Sequence, residues 1–167
     1  MEQRSEKNLF KHAMTLLCGI LIGAVSVAMI SGSALSSVEP ISFKWPNGQI
    51  RSKGEFRDGL EHGMWTFWRE DGTLEDKVEF KEGLPRGKYE TYDADGTLMW
   101  KGQTDNDGTE QGWCTLYNSE GGIITRAYLV DGRSNGLSEV FSPDGQRVYE
   151  CRYENDLLHG ECRDYGP

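Results

Sequence analysis

Gly63-Met64-Trp65-Thr66-Phe67-Trp68-Arg69-Glu70-Asp71-Gly72-Thr73-Leu74-Glu75-Asp76-Lys77-Val78-Glu79-Phe80-Lys81-Glu82-Gly83-Leu84-Pro85-Arg86-Gly87 is the stretch on which the fold turns. Its first half is an aromatic, β-branched run that ends at Asp71-Gly72. Its second half alternates, with Leu74, Asp76, Val78 and Phe80 on one side and Glu75, Lys77, Glu79 and Lys81 on the other. A period of two with one charged face is the pattern of a half-buried antiparallel strand. Asp-Gly between two such runs is a hairpin signal.

The unit recurs on both sides. Asn47-Gly48, Asp71-Gly72, Asp95-Gly96, Glu120-Gly121 and Asp144-Gly145 follow one another at intervals of 24, 24, 25 and 24 residues. Gly63, Gly87, Gly112, Gly136 and Gly160 keep the same interval. Both series read as turn glycines that supply positive φ. An aromatic stands five places after each glycine of the second series: Trp68, Tyr92, Tyr117, Phe141 and Tyr165. Self-similarity at a fixed period marks a repeat architecture. The expected fold is all-β. About five tandem 24-residue β-hairpin repeats, about ten strands, would form an extended antiparallel meander over residues 43–167, behind one N-terminal hydrophobic helix. An open meander and a coiled solenoid both fit this pattern.

The turns also predict register. A hairpin centred between Gly83 and Leu84 sets Val78 opposite Tyr89, and the same construction sets Gly54 opposite Trp65, Ala127 opposite Ser138 and Cys151 opposite Cys162. A glycine facing a tryptophan is a sound volume match on a packed face. The single 25-residue interval places its extra residue in the turn Asp105-Asn106-Asp107-Gly108.

Charge narrows the partners. The chain of 167 residues carries 18 basic and 27 acidic side chains, a net −9. Such a balance repels the phosphates of nucleic acid and of anionic lipid, so neither is expected to bind the repeats. Residues 13–31 are apolar and uncharged, long enough to span a hydrocarbon core of about 30 Å. Arg4, Lys7 and Lys11 in the flank 1–12 orient that segment with its N-terminus in the cytoplasm. The expectation is a single-pass anchor, a linker over 32–42, and a repeat domain displayed outside the cytoplasm. The alternative is a signal peptide cleaved near Gly32-Ser33-Ala34, releasing a secreted or periplasmic protein.

Trp45-Pro46-Asn47-Gly48, Phe56-Arg57-Asp58-Gly59-Leu60-Glu61-His62-Gly63-Met64-Trp65 and Phe80-Lys81-Glu82-Gly83-Leu84-Pro85-Arg86-Gly87-Lys88-Tyr89 together resemble the MORN-repeat variant of bacterial YwqK-type proteins. The resemblance covers about residues 43–165. It implies hairpin arrays that bind proteins or membranes, and an antitoxin label that belongs to cytosolic proteins. The hydrophobic N-terminus departs from that label. In the fifth repeat Asn155-Asp156 stands where the others have a turn glycine, as an atypical terminal cap would.

Candidate chemistry is sparse. Cys151 and Cys162 come out opposed across the last hairpin, near disulfide range; two small side chains filling equivalent columns is the other reading. Asp105-Asn106-Asp107-Gly108-Thr109-Glu110 looks like the start of a calcium loop, but the twelfth place, where a bidentate glutamate belongs, is Leu116. His62 and His159 share a column with Arg86, Gln111 and Asn135, which reads as an exposed polar turn. The candidates for contact with a partner are the aromatics Trp68, Tyr92, Tyr117 and Phe141, with Trp100 and Trp113, since exposed Tyr and Trp are enriched at interfaces. Packing over the Asp-Gly turns is the competing reading of the column. No catalytic, cofactor or metal residues are expected and no small-molecule substrate is evident. The expected function is a non-enzymatic protein-interaction module with an unidentified protein partner, touching the membrane through its N-terminal helix alone. A structural spacer, or an enzyme acting on glycans through paired carboxylates, are the alternatives.

Overall fold

The computed structural model describes residues 40–166. The segments expected to be a cytoplasmic flank (1–12) and a membrane anchor (13–31), and most of the expected linker, lie outside the described residues. The described residues are all-β, with no helix among them. Twelve strands follow one another: β1 Ile41–Lys44, β2 Ile50–Arg57, β3 Leu60–Trp68, β4 Leu74–Lys81, β5 Leu84–Tyr92, β6 Leu98–Thr104, β7 Gly112–Tyr117, β8 Ile123–Val130, β9 Arg133–Phe141, β10 Arg147–Glu154, β11 Leu157–Leu158 and β12 Arg163–Asp164. The sheet is an open antiparallel meander in strict chain order through β11. β12 pairs again with β10, so the last strand is capped by two short segments rather than one. Strand β1 begins at Ile41, inside the stretch expected to be linker.

Two kinds of turn alternate. At the Asp-Gly end the glycine N–H closes a four-residue turn, as Gly72 does on the Arg69 carbonyl at 3.0 Å, and the aspartate accepts from the residue after the glycine, Thr73 N–H to Asp71 Oδ1 at 2.8 Å. These turns stack on one another. Trp45 Nε1 donates to the Trp68 carbonyl at 2.9 Å and Asn47 Nδ2 to the Glu70 carbonyl at 2.7 Å. The Arg69 guanidinium donates to the carbonyls of Leu74, Tyr92 and Asp93. Backbone carbonyls need such partners, so the first three of these turns are satisfied partly by a neighbour one repeat away.

At the other end the connection is a two-residue turn. Asp58-Gly59, Glu82-Gly83, Asp131-Gly132 and Asn155-Asp156 all have positive φ at both residues, the requirement of a type I′ hairpin. Asp156 holds φ 67° without being glycine, and its Oδ1 accepts the Ser134 N–H at 2.8 Å. The fifth repeat therefore keeps the turn. The third connection differs: Asp105-Asn106-Asp107-Gly108 forms a four-residue turn of the other kind, closed by Gly108 N–H on the Asp105 carbonyl.

The second glycine series needs correcting. Gly63, Gly87 and Gly136 lie within β3, β5 and β9, and Gly112 opens β7; these four are not turn glycines. They sit at bulges. Val78 faces Tyr89, but Phe80 faces Pro85, so Arg86, Gly87 and Lys88 stand opposite Glu79 alone. The hairpin is consequently centred between Glu82 and Gly83, and the bulge restores the register expected further along the strands. Gly87 has φ 112°, and a Cβ there would come within 2.6 Å of Glu79 Cδ, whose carboxylate accepts the Lys88 N–H at 3.0 Å. Backbone conformation and close approach both require glycine there. Gly160 lies between β11 and β12.

One face of the sheet is apolar. Its middle row runs Gly54, Trp65, Val78, Tyr89, Gly102, Cys114, Ala127, Ser138, Cys151. Large side chains alternate with small ones, which lets a ring on one strand lie across its neighbour. Trp65 is 3% exposed, packs against Phe43, Phe56, Phe67 and Phe80, and donates Nε1–H to the Glu55 carbonyl at 3.1 Å. Toward the C-terminus the large column thins from Trp65 and Tyr89 to Cys114 and Ser138. There Cys151, 1% exposed, is joined to Cys162 by a disulfide with Cα atoms 4.3 Å apart.

Candidate functional site

The opposite face carries most of the charges and, Trp100 apart, the candidate rings. Across it runs a ladder of cross-strand neighbours: Lys53, Thr66, Lys77, Glu90, Lys101, Thr115, Arg126, Glu139, Glu150 and Arg163. Opposite signs meet at Lys77–Glu90–Lys101 and at Arg126–Glu139, which is favourable, and the like pair Glu139–Glu150 is bridged by Arg147. Lys77 Nζ stands 3.2 Å from the Glu90 carboxylate.

The aromatic column lies beside this ladder under its cations. Lys77 Nζ is 5.4 Å from the Tyr92 ring centroid, Lys101 Nζ 5.3 Å from Tyr117, and Arg126 Cζ 5.6 Å from Phe141. Cations at this separation are attracted by the ring quadrupole. Tyr92 also donates its hydroxyl to Glu90 at 2.5 Å. All three rings, and Trp68, are half-buried. The structure thus uses Tyr92, Tyr117 and Phe141 as seats for the cations one strand away. The sequence signal was available: Lys77, Lys101 and Arg126 recur at the repeat interval.

Trp100 is not on this face. It is 6% exposed on the apolar side and donates Nε1–H to the Tyr89 hydroxyl at 2.9 Å, so it cannot anchor a partner. Parity explains the difference, since Trp100 pairs with Thr91 and Leu116 on the inner row. Around it lies a buried polar cluster that sequence reasoning missed. The Tyr89 hydroxyl donates to the Glu110 carboxylate and lies 3.1 Å from Cys114 Sγ. Glu110 is 7% and Cys114 2% exposed. Burial, assisted by Glu110, pushes the Cys114 thiol up to about 12, and burial with the neighbouring Cys114 and Glu110 raises the Tyr89 phenol. Such a thiol stays protonated and unreactive. The cluster fills the core where the large apolar column ends.

Trp113 is where the charged face becomes apolar. It is 41% exposed and meets Tyr128, 39% exposed, edge to face at 5.6 Å. Arg126 covers one side of the indole at 4.9 Å. Beside the pair opens a cleft of about 340 Å³ lined by Lys88, Glu90, Lys101, Gln103, Trp113 and Tyr128. Met99 and Ile124 are also exposed, on the far side of the Lys101–Thr115–Arg126 part of the ladder. No group of three or more His, Cys, Asp or Glu is placed to hold a metal among the described residues, and the Asp105 carboxylate is engaged by its own turn, accepting from the N–H groups of Asp107 and Thr109. His159 is exposed beside Glu154 at 3.2 Å.

Glu139 is the most enclosed charge on this face, at 2% exposure. It accepts from Arg126 Nε and from Arg147 Nη1, the latter at 2.9 Å. Burial works to raise its carboxyl, but the two guanidiniums overcome this and hold it below the ordinary value. A depressed carboxyl contributes stability that is complete above its unfolded value and is lost as the pH falls through the folded one. Glu139→Gln is therefore expected to destabilise the protein at pH 7 and to differ less from the parent at pH 3, as read by urea midpoints at the two pH values. A difference independent of pH would show that the charge is not what matters.

An open meander of hairpin repeats with one packed face and one charged, aromatic-bearing face is the architecture of a repeat platform. The family model described as "MORN repeat variant" matches residues 134–155, which run through β9 and β10 as far as the Asn155 turn. The chain thus carries a MORN repeat variant, and the same turn and strand pattern recurs in its other hairpins. A search of curated proteins found no match.

Proposed function

We propose that the chain is a non-enzymatic protein-interaction module, held outside the cytoplasm by its N-terminal apolar segment and binding a protein partner through the charged face. The observation that carries this reading is the exposed Trp113–Tyr128 pair with its adjoining cleft. Large aromatic anchors beside a recess, ringed by polar side chains, are the usual energetic centre of a protein interface. Tyr92, Tyr117 and Phe141, already occupied by cations, serve as framework rather than anchors. The acidic repeat domain selects a partner with a basic surface. The YwqK-type resemblance makes neutralisation of a toxic partner one specific form of this function.

The test is affinity capture from membranes with the intact chain, comparing the parent with Trp113→Ala/Tyr128→Ala. The double substitution is expected to abolish the capture of a specific protein while leaving the urea midpoint within about 1 kcal/mol, as exposed positions allow. Equal capture by both would refute the proposed surface. The structural-spacer reading draws on the cation-covered column, and it would be favoured if no specific protein were retained by either.

A further inference from the structure

A second recess lies at the type I′ end of the repeats, away from Trp113. Five neighbouring strands contribute to it: Arg57 from β2, His62 from β3, Glu79 and Lys81 from β4, Arg86 from β5, and Thr104 at the end of β6 with Asp105 and Asn106 of the turn beyond. Its volume is about 540 Å³. In a chain of net −9, this is a convergence of cations. Arg57 and Lys81 are both exposed at its rim.

The two carboxylates in the lining accept backbone N–H groups, and Asp105 also feels the charge of Arg86. Glu79 Oε2 accepts the Lys88 N–H at 3.0 Å. Asp105 Oδ1 accepts two backbone N–H groups of its own turn, and Oδ2 accepts from Gln111 Nε2 at 3.3 Å. Arg86 is the reverse case. Its Nε is buried and finds no hydrogen-bond partner in the protein, and its nearest ion pair, to Glu82, is long at 3.8 Å. A buried donor without an acceptor costs about 1–3 kcal/mol, and native structures leave few of them. An acceptor entering the recess would satisfy it.

We propose that this recess binds a phosphate-type oxyanion, with Arg86 as the central donor and Arg57, Lys81 and His62 around it. The guanidinium presents a fixed fork of N–H groups suited to such oxygens. The Asn106 amide adds a neutral donor at the far wall, while the Thr104 hydroxyl is held by the backbone of Pro85 and Gly87. The bulge at Gly87 is what brings this about: it displaces Arg86 from simple alternation and sets it opposite Glu79. This site is independent of the protein-binding surface proposed above.

Calorimetric titration of the full-length protein with inorganic phosphate at low ionic strength tests it. Saturable binding is expected, weakened at least tenfold by Arg86→Gln and several-fold by Lys81→Gln or Arg57→Gln. The last two are rim positions, so their urea midpoints should match the parent and keep the test meaningful if Arg86→Gln unfolds. Glycerol 3-phosphate is the second probe. Tighter binding than inorganic phosphate assigns the site to an organic phosphate, and equal binding assigns it to the free anion. Absence of saturable binding, or equal binding by the parent and both rim variants, overturns the proposal.

Discussion

Substituting alanine for Gly54 lowers the unfolding free energy by about 3 kcal/mol, the upper end of what overpacking costs. The reason is local and geometric. Gly54 lies on the packed face against the Trp65 indole, and a Cβ built there would come within 2.2 Å of the ring atom Cδ2. The indole must lift, giving up its hydrogen bond to the Glu55 carbonyl and its packing against Phe43, Phe56, Phe67 and Phe80. Gly54 has no positive φ, so backbone strain plays no part and the loss belongs to the contact with Trp65. Urea unfolding of Gly54→Ala, Trp65→Leu and the double variant gives the coupling directly. In the Trp65→Leu background the alanine is expected to cost less than 1 kcal/mol. A full additive penalty in the double variant would mean that the ring does not rest on Gly54.

Cys162→Ser is expected to cost about 3 kcal/mol, the chain-entropy value for a cross-link closing a loop of about 12 residues. Cys162 is the better position to change, because Cys151 is 1% exposed and a serine there would add a buried hydroxyl to the loss. The bond links β10 to the segment leading into β12 at the thinnest part of the core, where Ser138 stands in the column that Trp65 and Tyr89 fill earlier. The effect should therefore concentrate at the C-terminal end. Unfolding of parent and variant with and without dithiothreitol decides it. The two should differ without reductant and converge with it. If the parent is indifferent to reductant, the disulfide contributes nothing to stability.

Much of the architecture was legible before any coordinates. The 24-residue interval, the Asp-Gly turns and the period-two strands are short-range signals, and they predicted an all-β array of hairpins and the pairings Val78–Tyr89 and Ala127–Ser138. The bulges were not legible. A glycine that closes a turn and one that sits in a bulge both satisfy a need for positive φ, so Gly63 and Gly87 looked like Gly48 and Gly72. The twelve strands in place of about ten come from the ends, where β1 extends to Ile41 and the C-terminus splits into β11 and β12.

The binding surfaces divide in the same way. That Trp113 and Tyr128 stand out from the repeat pattern is visible in the residues; that they meet edge to face beside a cleft depends on the β7–β8 register. Trp100 shows the converse, an equally prominent residue that pairing turns inward. The repeat, its turns and the alternation of polar and apolar faces are properties of residues within a few positions of one another, and the chain alone specified them. Which ring lies under which lysine, how Arg86 comes to face a recess built by five strands, and why Glu110 is buried with Tyr89 and Cys114 are settled by contacts between strands. Those contacts depend on the bulges and turns that set each strand against the next, and only the folded sheet contains them.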